Sequence, residues 1–559
     1  MGEDIRMTSE LCSYKGCDPV SVRTAMLRYR NLSRIARKQE QSRELTPNPP
    51  ASSQINNDTK EQFTFADLVN KAKFVGRALV AMGVERGEVV MLCVDNSPEA
   101  VYLFLAISLA GAVASTLSPK LHADEMHFQI VESDTRIVFV DPIGLAEVQQ
   151  VFQNLNKPHR IICTGPRDLA EGCPILDDLH FVVSDHVNFP RIQPRADIVY
   201  MPFSSGIHGK RKGILTSHYI MNAKAMISFN PQSYIHPERH EFTVAMLPFH
   251  RQLGLEAIFI SLLAGATVVT VSKFCVHTLM TCIDRYKAKT LYLSPMIMSM
   301  MMNEAENHEY SMESMRTVIN GSAAVSRELF DDFRESFPLV ENIISSELTY
   351  IGNAYGMTET GLITRTVPSK KYSHSCGKLA ANLSLKVVDL VSGRVLGPRQ
   401  KGVIYVRGTS VMSPYLNNEE ATREQIRGGW RKTGDIGYYD EDENVYLVDK
   451  FKEMIKVHGY QVIPSELETL LVTHPGVVEA AVVAISDQEA GERPVAFVVL
   501  NKDNPVGTKE IMDYVNERVV RYKRLVRVNV AQTLPRSPCG SLLRRLLAEA
   551  AVLSVCNMP

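Results

Sequence analysis

From Phe63 onward the chain alternates between two hydrophobic periods. Apolar residues at three- and four-residue spacing over Phe65–Met82, closed by Gly83, predict a helix. The continuous apolar run Val89–Val94 predicts a buried strand. The alternation repeats as a helix over Ser97–Leu109, a strand over Ala112–Thr116, a helix over Glu125–Glu132 and a strand over Thr135–Val140. This order predicts an α/β fold, a mostly parallel sheet flanked by helices. Ligands in such folds gather at the loops leaving the carboxyl ends of the strands. Two long runs poor in charge, Val101–Lys120 and Leu255–Lys273, both carry Leu-Ala-Gly-Ala. A helix, a glycine stop and a buried strand explain these runs better than a membrane span.

Further along, Ala245–His250 reads as a strand ending in Pro248-Phe249-His250, and another strand ends at Leu293-Ser294-Pro295. The methionines that follow (Met296, Met298, Met300, Met301, Met302) suit either a helix core or a pliable wall for an apolar substrate. Thr317–Asn320 predicts a strand opening into the small residues Gly321, Ser322, Ala323 and Ala324. Val403–Val406 and Val445–Leu447 predict a smaller β unit. A fresh α+β pattern follows Val477, with strands Ala480–Ile485 and Ala496–Leu500 and a helix over Lys509–Val520. The expected organisation is a partly irregular extension over 1–59, a large domain over 60–448, a small mobile α+β domain over 449–548 and a tail over 549–559.

Composition narrows the field only slightly. A net charge of -1 over 559 residues gives no bulk attraction to nucleic acid or acidic membranes. The ten cysteines form no C-x-x-C pair and no zinc spacing. Met1–Asp4 has no apolar signal core, and the final Asn-Met-Pro is not a peroxisomal tripeptide. Basic Arg23–Lys38 leaves a mitochondrial leader open, against Glu3, Asp4 and Glu10, and an intracellular, cytoplasmic protein is expected.

Candidate chemistry begins at residues 202–218. Gly206, Gly209 and Gly213 allow backbone N–H groups near an anion, Ser204 and Ser205 add hydroxyl donors, and Lys212 adds a point charge. The loop suits a polyphosphate without having Walker A spacing, and a basic surface turn explains the same residues. Asn353–Thr360 places an aromatic face (Tyr355), a hydroxyl (Thr358) and a carboxylate (Glu359) within five residues. That set suits a nucleotide with Mg²⁺, and an ordinary helix start is the other explanation of the same residues. Asp435, following Gly434, is placed to accept ribose hydroxyls, and Lys450, Lys452 and Lys456 cluster near a domain boundary.

Taken in order, these stretches resemble the adenylate-forming superfamily, in its branch of acyl-CoA synthetases and 4-coumarate–CoA ligases, over roughly 60–548. The resemblance rests on the Ser204-Ser205-Gly206 loop, Pro248-Phe249-His250, Gly321–Ala324, Tyr355–Glu359, Thr433-Gly434-Asp435, Asp449-Lys450, Lys456 to Glu468, and Pro535–Gly540. It implies two half-reactions, with ATP, Mg²⁺ and CoA as cofactor and co-substrates. A carboxylate attacks the α-phosphate to give an acyl-adenylate, and a thiol then takes the acyl group. By resemblance Ser204, Ser205, Gly206 and Lys212 hold phosphates, and Gly321, Ser322, Ala323 and Tyr355 bracket adenine. Thr358 touches the α-phosphate, Glu359 holds Mg²⁺, and Asp435 and Lys450 meet ribose. His250 guards the acyl and thiol entry, and Asp449 is the hinge. Lys456, His458, Gly459 and Gln461 line the thioester face, and Lys273 is a candidate for CoA phosphate.

The chain departs from the family pattern at four places. Ser541 stands where the family has the lysine that bridges carboxylate and α-phosphate. Ile207-His208 replaces Thr-Thr in the phosphate loop, Lys450 replaces an arginine, and Ala354 replaces a glycine. Arg536 and Arg544 are the nearby cations that would have to stand in for the lysine. The expected function is an ATP-dependent carboxylate–CoA ligase for an apolar acyl or aryl acid with weakened adenylation. The alternative is a catalytically degenerate relative that binds acyl groups or nucleotides.

Overall fold

The computed structural model describes residues 7–8, 54–155, 157–182, 187–204, 212–229, 237–305, 310–320, 327–337, 350–366, 374–389, 392–412, 414–450, 453–457, 460–487, 490–501, 504–536 and 542–556. For 7–8, 204, 350–354, 449–450, 456, 460–461, 491 and 553–556 only the backbone is described. The chain forms two compact units. The larger comprises Thr8–Ser384 with Val406–Arg431, and the other comprises Met1–Met7, Leu385–Tyr405 and Lys432–Pro559.

In the larger unit the predicted alternation becomes a six-stranded sheet. Its central strands Val89–Cys93, Val113–Thr116, Ile137–Val140 and Arg160–Cys163 are parallel. Helix Phe65–Ala81 starts at a capping box in which Thr64 and Asp67 satisfy each other's backbone N–H groups. Its buried residues Phe65, Leu68, Ala72, Val75 and Leu79 fall on one stripe, while helix Pro98–Leu109 is buried nearly all round. That accounts for the uncharged run beginning at Val101. Gly111 (φ 76) ends the first run's helix and Gly265 (φ 80) the second, each followed by a buried strand. Among the described residues no helix is long and apolar enough to cross a membrane.

Two further sheets of this unit position the candidate site. One joins Phe242–Ala245, Thr267–Thr270, Gln54–Asn56 and Gln62–Phe63. The other joins Thr290–Leu293, Thr317–Asn320, Tyr350–Met357, Gly361–Arg365 and Lys378–Leu379. The strand expected over Ala245–His250 instead occupies Phe242–Ala245 and pairs in parallel with Thr267–Thr270. Residues beyond it leave the ladder because the Asn96 amide takes over their backbone. Its Nδ2 donates to the carbonyls of Ala245 (2.9 Å) and Leu247 (3.0 Å), and its Oδ1 accepts from Phe249 N–H (2.6 Å). Methionine follows the core reading at Met298 and Met301, both 0% exposed on helix Pro295–Ala305, while Met296, Met300 and Met302 are half-buried.

The second unit has its own sheet, built on the long antiparallel pair Val477–Asp487 and Gly491–Leu500 with Arg527–Val530 added in parallel. Apolar clusters cover both of its faces. The helix expected over Lys509–Val520 is Thr508–Asn516. It stops early because the Asn516 side chain turns to bond both the N–H (2.7 Å) and the carbonyl (3.0 Å) of Leu525.

Candidate functional site

The Tyr355–Glu359 motif is neither a helix start nor a helix. Strand Tyr350–Met357 turns back at Thr358–Thr360 into the antiparallel strand Gly361–Arg365. Gly361 adopts φ 68, and a Cβ there would stand 2.9 Å from Lys224 Cγ and 3.2 Å from Glu256 Oε1. The hairpin turn thus requires glycine and rests on a buried cation and a buried carboxylate. Lys224, 1% exposed, donates from Nζ to the Thr358 carbonyl at 2.8 Å. Burial holds its ammonium below the usual lysine range, against the pull of Glu256 and Glu359. Burial likewise raises Glu256, offset by Lys224 and by Gln252 Nε2, which donates to it.

The phosphate-loop segment approaches this turn from a second direction. Phe203–Ser204 and Lys212–Gly213 form an antiparallel pair with Lys212 opposite Ser204. Leu416 N–H donates to the Gly213 carbonyl (2.9 Å), and Tyr415 bridges to Ile214. This places the Tyr415 ring beneath Lys212, whose Nζ lies 5.1 Å from the ring centroid. The Tyr415 hydroxyl donates to Glu359 Oε1 at 3.1 Å and accepts from Arg431 Nη2 at 2.7 Å. The Arg431 guanidinium also meets Glu359 Oε1 directly at 3.0 Å. Burial, then the neighbouring Glu359 charge, pushes the Tyr415 phenol up to about 12.

Lys212 and Glu359, far apart in the sequence, therefore meet around Tyr415, Thr358 precedes Glu359 in the turn, and Tyr355 (7% exposed) lies on the strand leading into the same turn. Glu359 offers a magnesium ion a poor fit on Oε1. That oxygen already accepts from Tyr415 and pairs with a fixed guanidinium, so an added dication would face a cation at close range. Among the described residues no three acidic, histidine or cysteine side chains group as a metal site.

The other expected residues stand as follows. His250 lies in the loop held by Asn96, and its carbonyl accepts from Thr116 Oγ1 at 3.0 Å. Gly254 allows helix Gln252–Ala264 to approach that loop, since a Cβ there would be 2.1 Å from the Pro248 carbonyl oxygen. Lys273 is exposed on the turn after Thr267–Thr270, part of a different sheet from the Thr358 turn. In the second unit Asp435 is buried on strand Trp430–Tyr439, paired in register with Lys450, and Asp449 pairs with Ile436. Lys456 pairs with Gln461 across a hairpin of that unit. Arg544 is committed within it, from Nε to Glu453 (2.8 Å) and from Nη2 to Glu468 (3.0 Å), and Arg536 is paired with Glu479. Ser205, Gly206, Ile207, His208, Gly321, Ser322, Ala323, His458, Gly459 and Ser541 lie outside the described residues.

Lys224 and Arg431 were missed as site residues, although both left a sequence signal. Lys224 interrupts the apolar stripe Ile220, Met221, Ile227 of helix His218–Ser228. Arg431 shares the inward alternation of its strand with Thr433 and Asp435.

The AMP-binding enzyme family model matches residues 39–416, and the AMP-binding enzyme C-terminal domain matches 466–540. A 4-coumarate–CoA ligase (CCL1) of Humulus lupulus is 33% identical over 513 residues, covering 89% of this chain and 90% of that protein. The peroxisomal OPC-8:0-CoA ligase 1 of Arabidopsis thaliana is 32% identical over 507 residues, covering 89% and 90%. Among solved structures, o-succinylbenzoate CoA synthetase (MenE) from Bacillus subtilis with its acyl-adenylate intermediate superposes with a TM-score of 0.72 at 27% identity, over 91% of this chain and 97% of that one. ATP-bound MatB from Rhodopseudomonas palustris gives a TM-score of 0.77 at 23% identity, over 91% and 98%.

Proposed function

The chain belongs to the AMP-binding enzyme family of adenylate-forming acid–CoA ligases, and on that premise we propose that it is an ATP-dependent carboxylate–CoA ligase for an apolar acyl or aryl acid, with slowed adenylation. The observation that carries this reading is the convergence on Tyr415. The Lys212 ammonium over its ring and the Glu359 carboxylate on its hydroxyl bring the phosphate-loop segment and the Thr358 turn to one place. Lys212 supplies a positioned charge to a polyphosphate, and the Thr358 hydroxyl orients the α-phosphate where charge develops during attack. Tyr355, with Gly321, Ser322 and Ala323, brackets the adenine, Ser204, Ser205 and Gly206 hold the phosphates, and Asp435 and Lys450 serve the ribose. Asp449 is the hinge of a C-terminal domain over 449–548. Lys456, His458, Gly459 and Gln461 line the thioester face, with Lys273 outside it as a contact for CoA phosphate. Mg²⁺ is proposed to arrive with ATP as its counter-ion.

An apolar acid is favoured by the mostly apolar character of Leu253–Ile258, Met296–Met302 and Ala354, the stretches that would wall the acyl pocket. Slowed adenylation follows from Ser541, a short neutral hydroxyl in the place of the bridging lysine. Loss of one such electrostatic group costs about 10²–10³ in rate. A second reading, a degenerate binder of acyl groups or nucleotides, is favoured by one observation: Arg544 is held by Glu453 and Glu468. The test is carboxylate-dependent exchange of pyrophosphate into ATP, wild type against Ser541→Lys, with short-, medium- and long-chain and aryl acids. The expected result is slow exchange with an apolar acid in the wild type, raised about 10²-fold by the lysine. Absence of exchange in both proteins with every acid refutes the ligase reading and leaves the binder.

A further inference from the structure

Arg431 heads the largest fully buried side chains among the described residues, at 2% exposure. It is the second residue of the strand Trp430–Tyr439, opposite Ile426 in an antiparallel pair. Its Nη2 donates to the Tyr415 hydroxyl, its Nη1 faces Met412 Sδ at 3.5 Å, and its Nε is buried without an acceptor among the described residues. A guanidinium that leaves one donor unsatisfied is an unfavourable way to fill space, and a well-packed apolar side chain of similar volume would do so at lower cost. What the arginine adds is a fixed positive charge 3.0 Å from Glu359 Oε1, locked by Tyr415 bonding both partners. With Lys212 it also flanks the Tyr415 ring, the two cations lying 5.1 and 5.4 Å from the centroid.

We propose that Arg431 is a resident counter-cation of Glu359, so that the nucleotide site is charge-compensated by the protein and gains little from a divalent metal at this carboxylate. The proposal rests on the nucleotide-binding part of the reading above. In a site whose carboxylate is open, metal-free ATP meets a negative charge and MgATP is preferred. Here Glu359 is neutralised before nucleotide arrives, so metal-free ATP and MgATP should bind alike. Arg431 is thus a positioning residue acting through Glu359, and Arg431→Leu should expose the carboxylate and restore a preference for the metal complex.

The experiment is calorimetric titration of the full chain with ATP in EDTA and in excess Mg²⁺, for wild type, Arg431→Leu and Arg431→Lys. Expected are wild-type affinities that agree within about threefold between the two conditions, and at least about a tenfold preference for MgATP in Arg431→Leu. Arg431→Lys keeps the charge and should behave as the wild type. Wild type preferring MgATP by about tenfold or more overturns the proposal by itself, even if the leucine variant fails to fold. Equal metal preference in wild type and a folded Arg431→Leu overturns it as well. Failure of all three proteins to bind ATP in either condition removes the nucleotide-site reading and the counter-cation role with it. That outcome is distinct from ATP binding with an ordinary metal preference.

Discussion

Lys224→Met tests the foundation of the Thr358 turn. The substitution keeps an unbranched stem of similar reach and removes the ammonium. Two partners lose by it: the Thr358 carbonyl, which accepts from Nζ at 2.8 Å, and Glu256, whose buried charge Lys224 offsets. Removing one member of a buried charge pair costs about 3–5 kcal/mol, mostly because the other charge stays behind unpaired. The charge-assisted bond to the carbonyl accounts for about 1.5–3 kcal/mol of what is lost. Adding Glu256→Gln removes the stranded charge while keeping a group that Gln252 can bond. The double variant should therefore lie only about 1–3 kcal/mol below the wild type, about 2 kcal/mol less destabilised than Lys224→Met alone. Urea unfolding read from the fluorescence of Trp430, the single tryptophan of the chain, measures all three. Additivity of the two substitutions within about 0.5 kcal/mol would refute the argument, as would a loss under about 1 kcal/mol for Lys224→Met alone.

Burial holds His218 down to about 4, with the Asp197 charge opposing, and its Nε2 has no partner among the described residues. A depressed histidine makes protonation favour the unfolded chain. Its contribution to stability is therefore full above the unfolded value of about 6.5 and is lost as pH falls toward 4, reaching about 2 kcal/mol by pH 5. His218→Gln should abolish that part of the slope, measured as the difference between urea midpoints at pH 7.5 and pH 5. An unchanged slope would show that the ring is solvated or charged in the fold. Gly254→Ala drives a methyl into the Pro248 carbonyl. It should cost about 1–3 kcal/mol and displace the His250 loop, seen as altered proteolysis between Met246 and Arg251; a neutral effect would mean that the helix and loop separate freely.

The sequence made the scaffold legible wherever one period dominated. Helix Phe65–Ala81 carries its stripe and capping box in the letters themselves, and the two Leu-Ala-Gly-Ala runs became helix, glycine and strand. Errors arose where a side chain replaced a ladder. Asn96, some 150 residues away, decides where the Phe242–Ala245 strand ends, and no local pattern could announce it. The helix-start alternative at the Thr358 turn falls for a related reason. Thr and Glu are at home in a helix's first turn, but here tertiary pairing with Gly361–Arg365 makes a hairpin. The nucleotide motifs were readable as types and order, whereas the buried charges beneath them were not. Lys224 and Arg431 look like solvated cations until the fold shows what covers them.

The division of the chain between its two units has a consequence during synthesis. Glu359 leaves the ribosome well before Tyr415 and Arg431, which belong to the returning segment Val406–Arg431. At ~5–20 residues per second, several seconds pass in which the carboxylate has no guanidinium to meet. Between those two events the nascent chain also makes Leu385–Tyr405, whose own unit is completed only from Lys432 onward. A stalled or truncated product ending near residue 405 would therefore carry a half-built carboxylate site and a segment without its unit. Such a fragment is a natural substrate for chaperones, and codon changes that slow translation between Glu359 and Arg431 should lower the yield of folded protein more than equal delays elsewhere.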